Sequence, residues 1–262
     1  MRIALTIAGS DSGGGAGIQA DLKTFQRFGV FGTSAITAIT AQNTKGVNDW
    51  EAVSPDLVRA QIDAVVEDLP PAAVKSGMLA NASVASAVAR AIRDHSLRNY
   101  VLDPVMVATS GDVLLERGAI DAIRNELIPQ AFLVTPNLHE AALLIGEDID
   151  DEDAMARAGE KIVGEMGAQA VLIKGGHMAS GDRVVDILYD GNVRAFRAER
   201  LDARNTHGTG CTLSAAITAQ LAEGESLHAA VRRAITYVHN AIATAPGLGS
   251  GHGPLNHLAE DS

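Results

Sequence analysis

Short apolar runs alternate with amphipathic helical stretches along almost the whole of this 262-residue chain, and that alternation leaves few folds open. The runs are too short for helices and too apolar to leave one side in water. They read as strands of a parallel sheet covered by helices on both faces, an α/β arrangement. The predicted strands are residues 3–8, 34–40, 73–76, 100–103, 132–135 and 170–174. Between them, Ser54-Pro55-Asp56 caps a helix whose core face is Val58, Ile62, Val65, Val66 and Leu69, and Asn81 caps another carrying Val84, Val88 and Ile92. The alternation breaks once, over 184–196, where two β-rich runs flank the hairpin turn Asp190-Gly191-Asn192. No linker interrupts the chain, and 1–262 is expected to be a single domain.

Composition excludes several function classes. Hydrophobic residues at 47% and charged residues at 20% are globular values, while 3% aromatic residues leave little to stack on nucleic-acid bases. A formal charge of -11 repels phosphate backbones and anionic membranes, so neither nucleic acid nor a membrane is an expected partner. Any phosphate-bearing ligand must then be held by local amides, lysines or a metal. One cysteine permits no intramolecular disulfide, and no Cys-plus-His zinc spacing occurs, so a cytoplasmic setting is expected. The apolar start is too short for an export signal and reads as a strand, and no segment reaches membrane-spanning length.

Two glycine clusters carry the chemistry. Asn205-Thr206-His207-Gly208-Thr209-Gly210-Cys211-Thr212 runs directly into a helix, so backbone amides can converge on an anion at its positive end. Such a place can also push a thiol toward thiolate, and Cys211 sits there, unless Gly208 and Gly210 only make a tight turn and Cys211 is a small buried apolar residue. The other cluster, Gly9-Ser10-Asp11-Ser12-Gly13-Gly14-Gly15-Ala16-Gly17, follows the first strand. Ligands of open parallel sheets sit beyond the carboxyl ends of the strands, which selects Gly9, Gln42, Asn43, Asp103, Asn137, Glu140 and Lys174. Gly15 to Ala20 fits a dinucleotide fingerprint, but no Asp or Glu occurs between Leu22 and Asn48 to hold a ribose. A P-loop fails because the chain has no Gly-Lys dipeptide. What remains is a kinase with phosphates on the second cluster and the acceptor on the first.

Those clusters, with Thr37-Ala38-Ile39-Thr40-Ala41-Gln42-Asn43-Thr44, Ser76-Gly77-Met78-Leu79-Ala80, Leu102-Asp103-Pro104-Val105-Met106, Thr135-Pro136-Asn137 and Lys174-Gly175-Gly176-His177, occur in order across almost the full chain. Together they resemble the hydroxymethylpyrimidine/phosphomethylpyrimidine kinases of thiamine biosynthesis. The resemblance implies a ribokinase-like three-layer sandwich, a homodimer, ATP with Mg²⁺, and successive phosphorylation of a small pyrimidine to its monophosphate and diphosphate. The family usually has proline where Ser12 stands, a departure expected to loosen the first loop.

The roles follow. Gly208, Thr209, Gly210 and Cys211 would hold the transferring phosphoryl through amides, with Cys211 a candidate base. Lys174 would neutralise nucleotide phosphates, joined by Thr206 and Thr209. Asn137 and Glu140 would lie near Mg²⁺ through water, in a pattern equally suited to a helix cap, and Asp103 would support the cation or phosphate region or be an ordinary loop acid. Gln42 would read the pyrimidine edge, its amide offering a donor and an acceptor, unless it is only a turn residue. Met78, Val105 and Ala16 would supply apolar walls and Gly9 a backbone contact, with Asp21 near the acceptor hydroxyl. A pyridoxal kinase on the same frame and a nucleotide-binding regulator without turnover are the alternatives. The tail 247–254 reads as a surface loop.

Overall fold

The computed structural model describes residues 1–106, 117–176 and 182–261; His177 of the Lys174 motif lies outside them. The described residues form one nine-stranded sheet. From β1 (Ile3–Asp11) it passes through α1 (Gly17–Arg27) to β2 (Phe31–Asn43) and β3 (Gly46–Ala52), then through α2 (Pro55–Asp68) to β4 (Ala73–Ser76). Next come α3 (Ala82–Asp94), β5 (Tyr100–Leu102), α4 (Arg117–Ala122), β6 (Leu133–Val134), α5 (Leu138–Ile145), α6 (Glu152–Gly164) and β7 (Val171–Ile173). The hairpin β8 (Arg183–Tyr189) and β9 (Val193–Glu199) precedes α7 (Thr209–Glu223) and α8 (Leu227–Ala243). Strand order is β3-β2-β1-β4-β5-β6-β7-β8-β9. The six central strands are parallel, while β3, β8 and β9 are antiparallel edges. With helices on both faces this is the expected three-layer α/β sandwich.

Strand alternation decides which side chains reach which layer. On β1, Leu5 and Ile7 enter the core shared with α2, α3 and α6, whereas Ala4 enters the core shared with α1, α7 and α8. The same parity places Ala73, Val101, Leu133 and Leu172 on the α7 side. Counting on by two along β4, β5 and β7 brings Lys75, Asp103 and Lys174 to that side, at or just past the carboxyl ends. The polar edge inferred from the sequence is therefore a product of register.

Helix starts obey their caps. Ser54 Oγ accepts the Leu57 amide and Asn81 Oδ1 accepts the Val84 amide, as their sequence positions predict. Leu69, placed on the buried face of α2 by its spacing, is 36% exposed because it follows the last turn. Strand β3 has no counterpart among the predicted strands. Its Asn48, Asp49, Trp50 and Glu51 are exposed, and an edge strand with an exposed face lacks the apolar run by which a buried strand is recognised.

Candidate active site

Helix α7 begins without a side-chain cap. Its N-cap is Gly208 at φ 83, a left-handed conformation that favours glycine, and a β-carbon there would overlap the Gly15 carbonyl oxygen. The two glycine clusters are thus packed against each other. Thr209 folds back onto the Thr206 carbonyl through its amide at 3.3 Å and its hydroxyl at 2.7 Å. A β-carbon on Gly210 would stand 3.2 Å from Lys174 Nζ and 3.8 Å from Asp103 Oδ2, so a lysine and a carboxylate flank the open helix terminus.

Lys174 Nζ donates to Asp103 Oδ1 at 3.0 Å. Asp103 also lies within reach of Ser214 Oγ at 3.2 Å and Thr135 Oγ1 at 3.4 Å, hydroxyls that it shares with nearby backbone carbonyls. Burial by itself lowers the Lys174 pKa, but Asp103 and then Glu140 outweigh it and keep the ammonium above its ordinary value. Glu140 and Asn137 form a capping box on α5: Asn137 Oδ1 accepts the Glu140 amide at 2.9 Å and Glu140 Oε2 accepts the Asn137 amide at 2.8 Å. Burial pushes the Glu140 carboxyl up to about 7, with Lys174 pulling it down and Asp103 pushing it up. After Lys174, the Gly175 amide donates to Asp186 Oδ1 at 2.8 Å, and burial lifts that carboxyl to about 6.

Lys75 and Asp21 form a second pair beneath Cys211. Lys75 Nζ lies 2.7 and 2.9 Å from the two oxygens of Asp21, whose Oδ2 also accepts from Thr6 Oγ1 at 2.6 Å. Burial alone lowers the Lys75 pKa, but Asp21, then Cys211 and Asp103, outweigh it and leave it above the lysine range. The expectation of Asp21 beside an acceptor hydroxyl is corrected in one respect. Its side chain has no exposed surface and its oxygens are engaged, so it underlies the site rather than lining it. The expectation for the Cys211 thiol also changes. Burial pushes it up to about 11, and Lys75 only partly offsets this, so desolvation overrides the helix terminus that favours thiolate.

The first loop is organised by Asp11, which accepts the amides of Gly13, Gly15 and Ala16 at 2.8, 3.0 and 2.8 Å. His207 Nε2 lies 2.9 Å from Asp11 Oδ2 and joins the second cluster to the first. Burial alone raises the Asp11 carboxyl, but the bond from His207 and the amides of Ala16 and Gly13 hold it below the ordinary range. Gln42 stands beside these residues, with Nε2 3.4 Å from His207 Nε2. Ser12, expected to loosen the loop, also ties it to β2: its Oγ donates to the Gln42 carbonyl and accepts the Gln42 amide, each at 2.8 Å. Gly9 meets the apolar corner of Met78, Ala38 and Ala80, against which Val105 packs, since a β-carbon on Gly9 would lie 3.2 Å from Met78 Sδ.

The tail is more than a surface loop. Pro254 bridges to His207 and lies against Gly15, while the amides of Gly251 and His252 donate to Thr44. Sequence reasoning assigned no role to Lys75, Asp11 or His207. A lysine inside the apolar run Ala73-Val74-Lys75-Ser76 was a usable signal; the meeting of Asp11 with His207 across most of the chain had none. A separate groove of about 480 Å³ between β9 and α8, lined by Arg194, Phe196, Arg197 and Arg232, shares no residue with this cluster.

The family model for phosphomethylpyrimidine kinase matches residues 11–256. A hydroxymethylpyrimidine/phosphomethylpyrimidine kinase of Rhizobium meliloti is 54% identical over 260 residues, covering 98% of this chain and 97% of the relative. A thiamine biosynthesis bifunctional protein of Geobacter sulfurreducens is 49% identical, covering 98% of this chain and 53% of the relative. Among solved structures, the ADP complex of a Bacillus subtilis pyridoxal kinase superposes with a TM-score of 0.91 at 39% identity, covering 99% of this chain and 98% of that one.

Proposed function

The chain belongs to the phosphomethylpyrimidine kinase family, and from that premise we propose how it carries a phosphoryl group from ATP to 4-amino-5-hydroxymethyl-2-methylpyrimidine, and then to the monophosphate so formed. It is a phosphotransferase of thiamine biosynthesis, and its second product is the pyrimidine diphosphate. The observation that carries the mechanism is the uncapped start of α7 with Lys174 and Asp103 at its mouth. Amides of Gly208, Thr209, Gly210 and Cys211 hold the transferring phosphoryl, and Lys174 neutralises charge that the acidic chain otherwise repels. Thr206 and Thr209 shape the nucleotide end of the loop. Gly9, Ala16, Met78 and Val105 wall the acceptor, Gln42 reads its edge, and Asp21 supports the floor through Lys75.

Mg²⁺ fits the donors present. Asp103 and Glu140 offer hard carboxylate oxygens beside Lys174. The ion would keep most of its water and take phosphate oxygens. Asp103 and Glu140 would hold its water shell, with Asn137 fixing Glu140. Bound there, the ion would neutralise phosphate charge. We further propose a single-domain homodimer working in the cytoplasm. Among the described residues all nine strands share one sheet, and no helix is long and apolar enough to cross a membrane.

A pyridoxal acceptor is the second reading, favoured by the superposition on a pyridoxal kinase. ADP release measured with hydroxymethylpyrimidine and pyridoxal side by side, with products weighed by mass spectrometry, decides between them. The pyrimidine should give a monophosphate and then a diphosphate. Turnover of pyridoxal alone would overturn the assignment.

A further inference from the structure

Two nitrogens face each other beside the first loop. Gln42 Nε2 lies 3.4 Å from His207 Nε2, which lies 2.9 Å from Asp11 Oδ2. Asp11 already accepts three backbone amides, and a carboxylate offers only lone pairs. His207 Nε2 therefore carries a hydrogen, whether the ring is neutral or charged, and cannot accept one from Gln42. The other end of the amide is mismatched in the same sense. Thr40 Oγ1 is 3.2 Å from Gln42 Oε1, but the hydroxyl has one hydrogen, and the Ser10 carbonyl takes it at 2.9 Å. A half-turn of the carboxamide relieves both ends: Oε1 then faces the His207 N–H, whose one hydrogen goes chiefly to Asp11 and reaches Gln42 as the longer arm of a shared bond, and Nε2 donates to Thr40 Oγ1. The backbone of Gln42 has little freedom to compensate. Ser12 holds its amide and carbonyl at the point where β2 shifts register against β3.

We propose that Asp11 and His207 are positioning residues that decide which end of the Gln42 carboxamide meets each atom of the acceptor ring, with Thr40 as the second stop. In that orientation the amide keeps one N–H and one oxygen lone pair free, side by side and in fixed order. They match a ring that presents an acceptor nitrogen beside an amino donor. A ring presenting a hydroxyl, which donates or accepts through one atom, gains nothing from the fixed order. The proposal rests on the reading that Gln42 contacts the acceptor.

A double-mutant cycle tests it, using KM for 4-amino-5-hydroxymethyl-2-methylpyrimidine, KM for ATP and kcat in wild type, His207→Ala, Gln42→Leu and the double variant. Each single substitution should raise the pyrimidine KM about tenfold, the effect of one unmet buried polar group. The double should be no worse than Gln42→Leu alone by more than about twofold, because neighbours that act through one another are not additive. KM for ATP should move less than about threefold, and His207→Gln, which keeps a donor, should recover most of the loss. Additive losses, an unchanged pyrimidine KM in His207→Ala, or equal weakening of ATP and pyrimidine would overturn the positioning role while leaving Gln42 as the reader. An unchanged pyrimidine KM in Gln42→Leu would remove the underlying reading, and this proposal with it. If His207→Ala does not fold, Thr40→Val replaces it in the cycle and must show the same coupling to Gln42.

Discussion

Two lysine–aspartate pairs lie on the α7 side of the sheet, both close enough to influence Cys211, and differ in what closes over them. Lys75 and Asp21 are sealed, with both side chains at 0% exposure, whereas Lys174 keeps 15% exposure beside an Asp103 at 1%. Their remaining partners differ as well. If Lys174 swings away, Asp103 keeps two hydroxyls within reach, Ser214, shared with the Gly210 and Cys211 carbonyls, and Thr135, shared with the Leu102 carbonyl; if Lys75 were lost, Asp21 would keep Thr6 alone among the described residues. Water access and spare partners make one pair able to exchange its counter-ion for a phosphate and the other a fixed part of the scaffold. The same two residue types therefore stand in opposite settings: one lysine is open to an incoming ligand, the other is sealed within the scaffold.

The largest expected effect breaks the sealed pair. Lys75→Met leaves a buried carboxylate with one hydroxyl for company, and loss of one member of such a pair costs about 3–5 kcal/mol. Urea unfolding at pH 7 measures it. Lys75→Met combined with Asp21→Leu should recover at least half of the loss, since apolar replacement of a whole buried pair is often neutral or better. A loss below about 1 kcal/mol in the single variant would make the two pairs alike and end the comparison.

Lys174→Ala should do the reverse, leaving stability within about 1 kcal/mol because Asp103 keeps its other partners. Turnover at saturating ATP should fall by about 10²–10³, the range for removing one preorganised donor to transition-state charge. Near-wild-type turnover would show that Lys174 is as much scaffold as Lys75.

The contrast also marks how far the sequence could be read. Lys174 was found because it ends an apolar run and precedes two glycines, and Asp103 because it ends another; both signals are local and follow from strand parity. The caps at Ser54, Asn81 and Asn137 were local as well. Lys75 was overlooked although a lysine inside a short apolar run is a local sign of burial; what the sequence withheld was its partner, because Asp21 lies on a different element. Asp11 and His207 belong to motifs plainly visible in the chain, yet their pairing is a tertiary fact. Strand β3 was missed for a different reason. Its exposed polar face carries no apolar run, and the hydrogen bonds to β2 that define it leave no trace in composition.

Glu140→Gln sharpens the comparison beside the exchangeable pair, where burial has lifted a carboxyl from 4.5 to about 7. Between those values the folded protein holds a proton that the unfolded chain has released. Stability therefore falls as pH rises through that window and stays lower above it. Glutamine keeps an acceptor for the Asn137 amide without the charge. The variant should gain on the order of 1–3 kcal/mol at pH 8 and nothing at pH 4, as the folded-state shift requires. Thermal melts of the ligand-free protein across that range give the slope. A variant with the same pH dependence as wild type would mean that Lys174 already offsets the burial of Glu140 in the folded protein.

The smallest effect is expected at Cys211, between the two pairs. A proton acceptor must be free of its proton, and burial that lifts the thiol to about 11 leaves almost none as thiolate at neutral pH. Phosphoryl transfer through a loose transition state needs little help from a base, whereas the backbone amide of residue 211 lies in the first turn of α7 whatever the side chain. Cys211→Ser should accordingly lose less than about tenfold in kcat and retain the shape of the wild-type pH–rate profile, against the 10²–10⁴-fold roughly expected if an acid–base group were removed. The measurement is kcat from pH 6 to 10, with ATP binding by calorimetry as the control. Loss of a basic limb in the serine variant, together with a fall of two or more orders of magnitude, would show that bound substrate brings the thiol down to working range. In that case Lys75 would assist catalysis through Cys211, and the line between a fixed lysine and a working one would have to be redrawn.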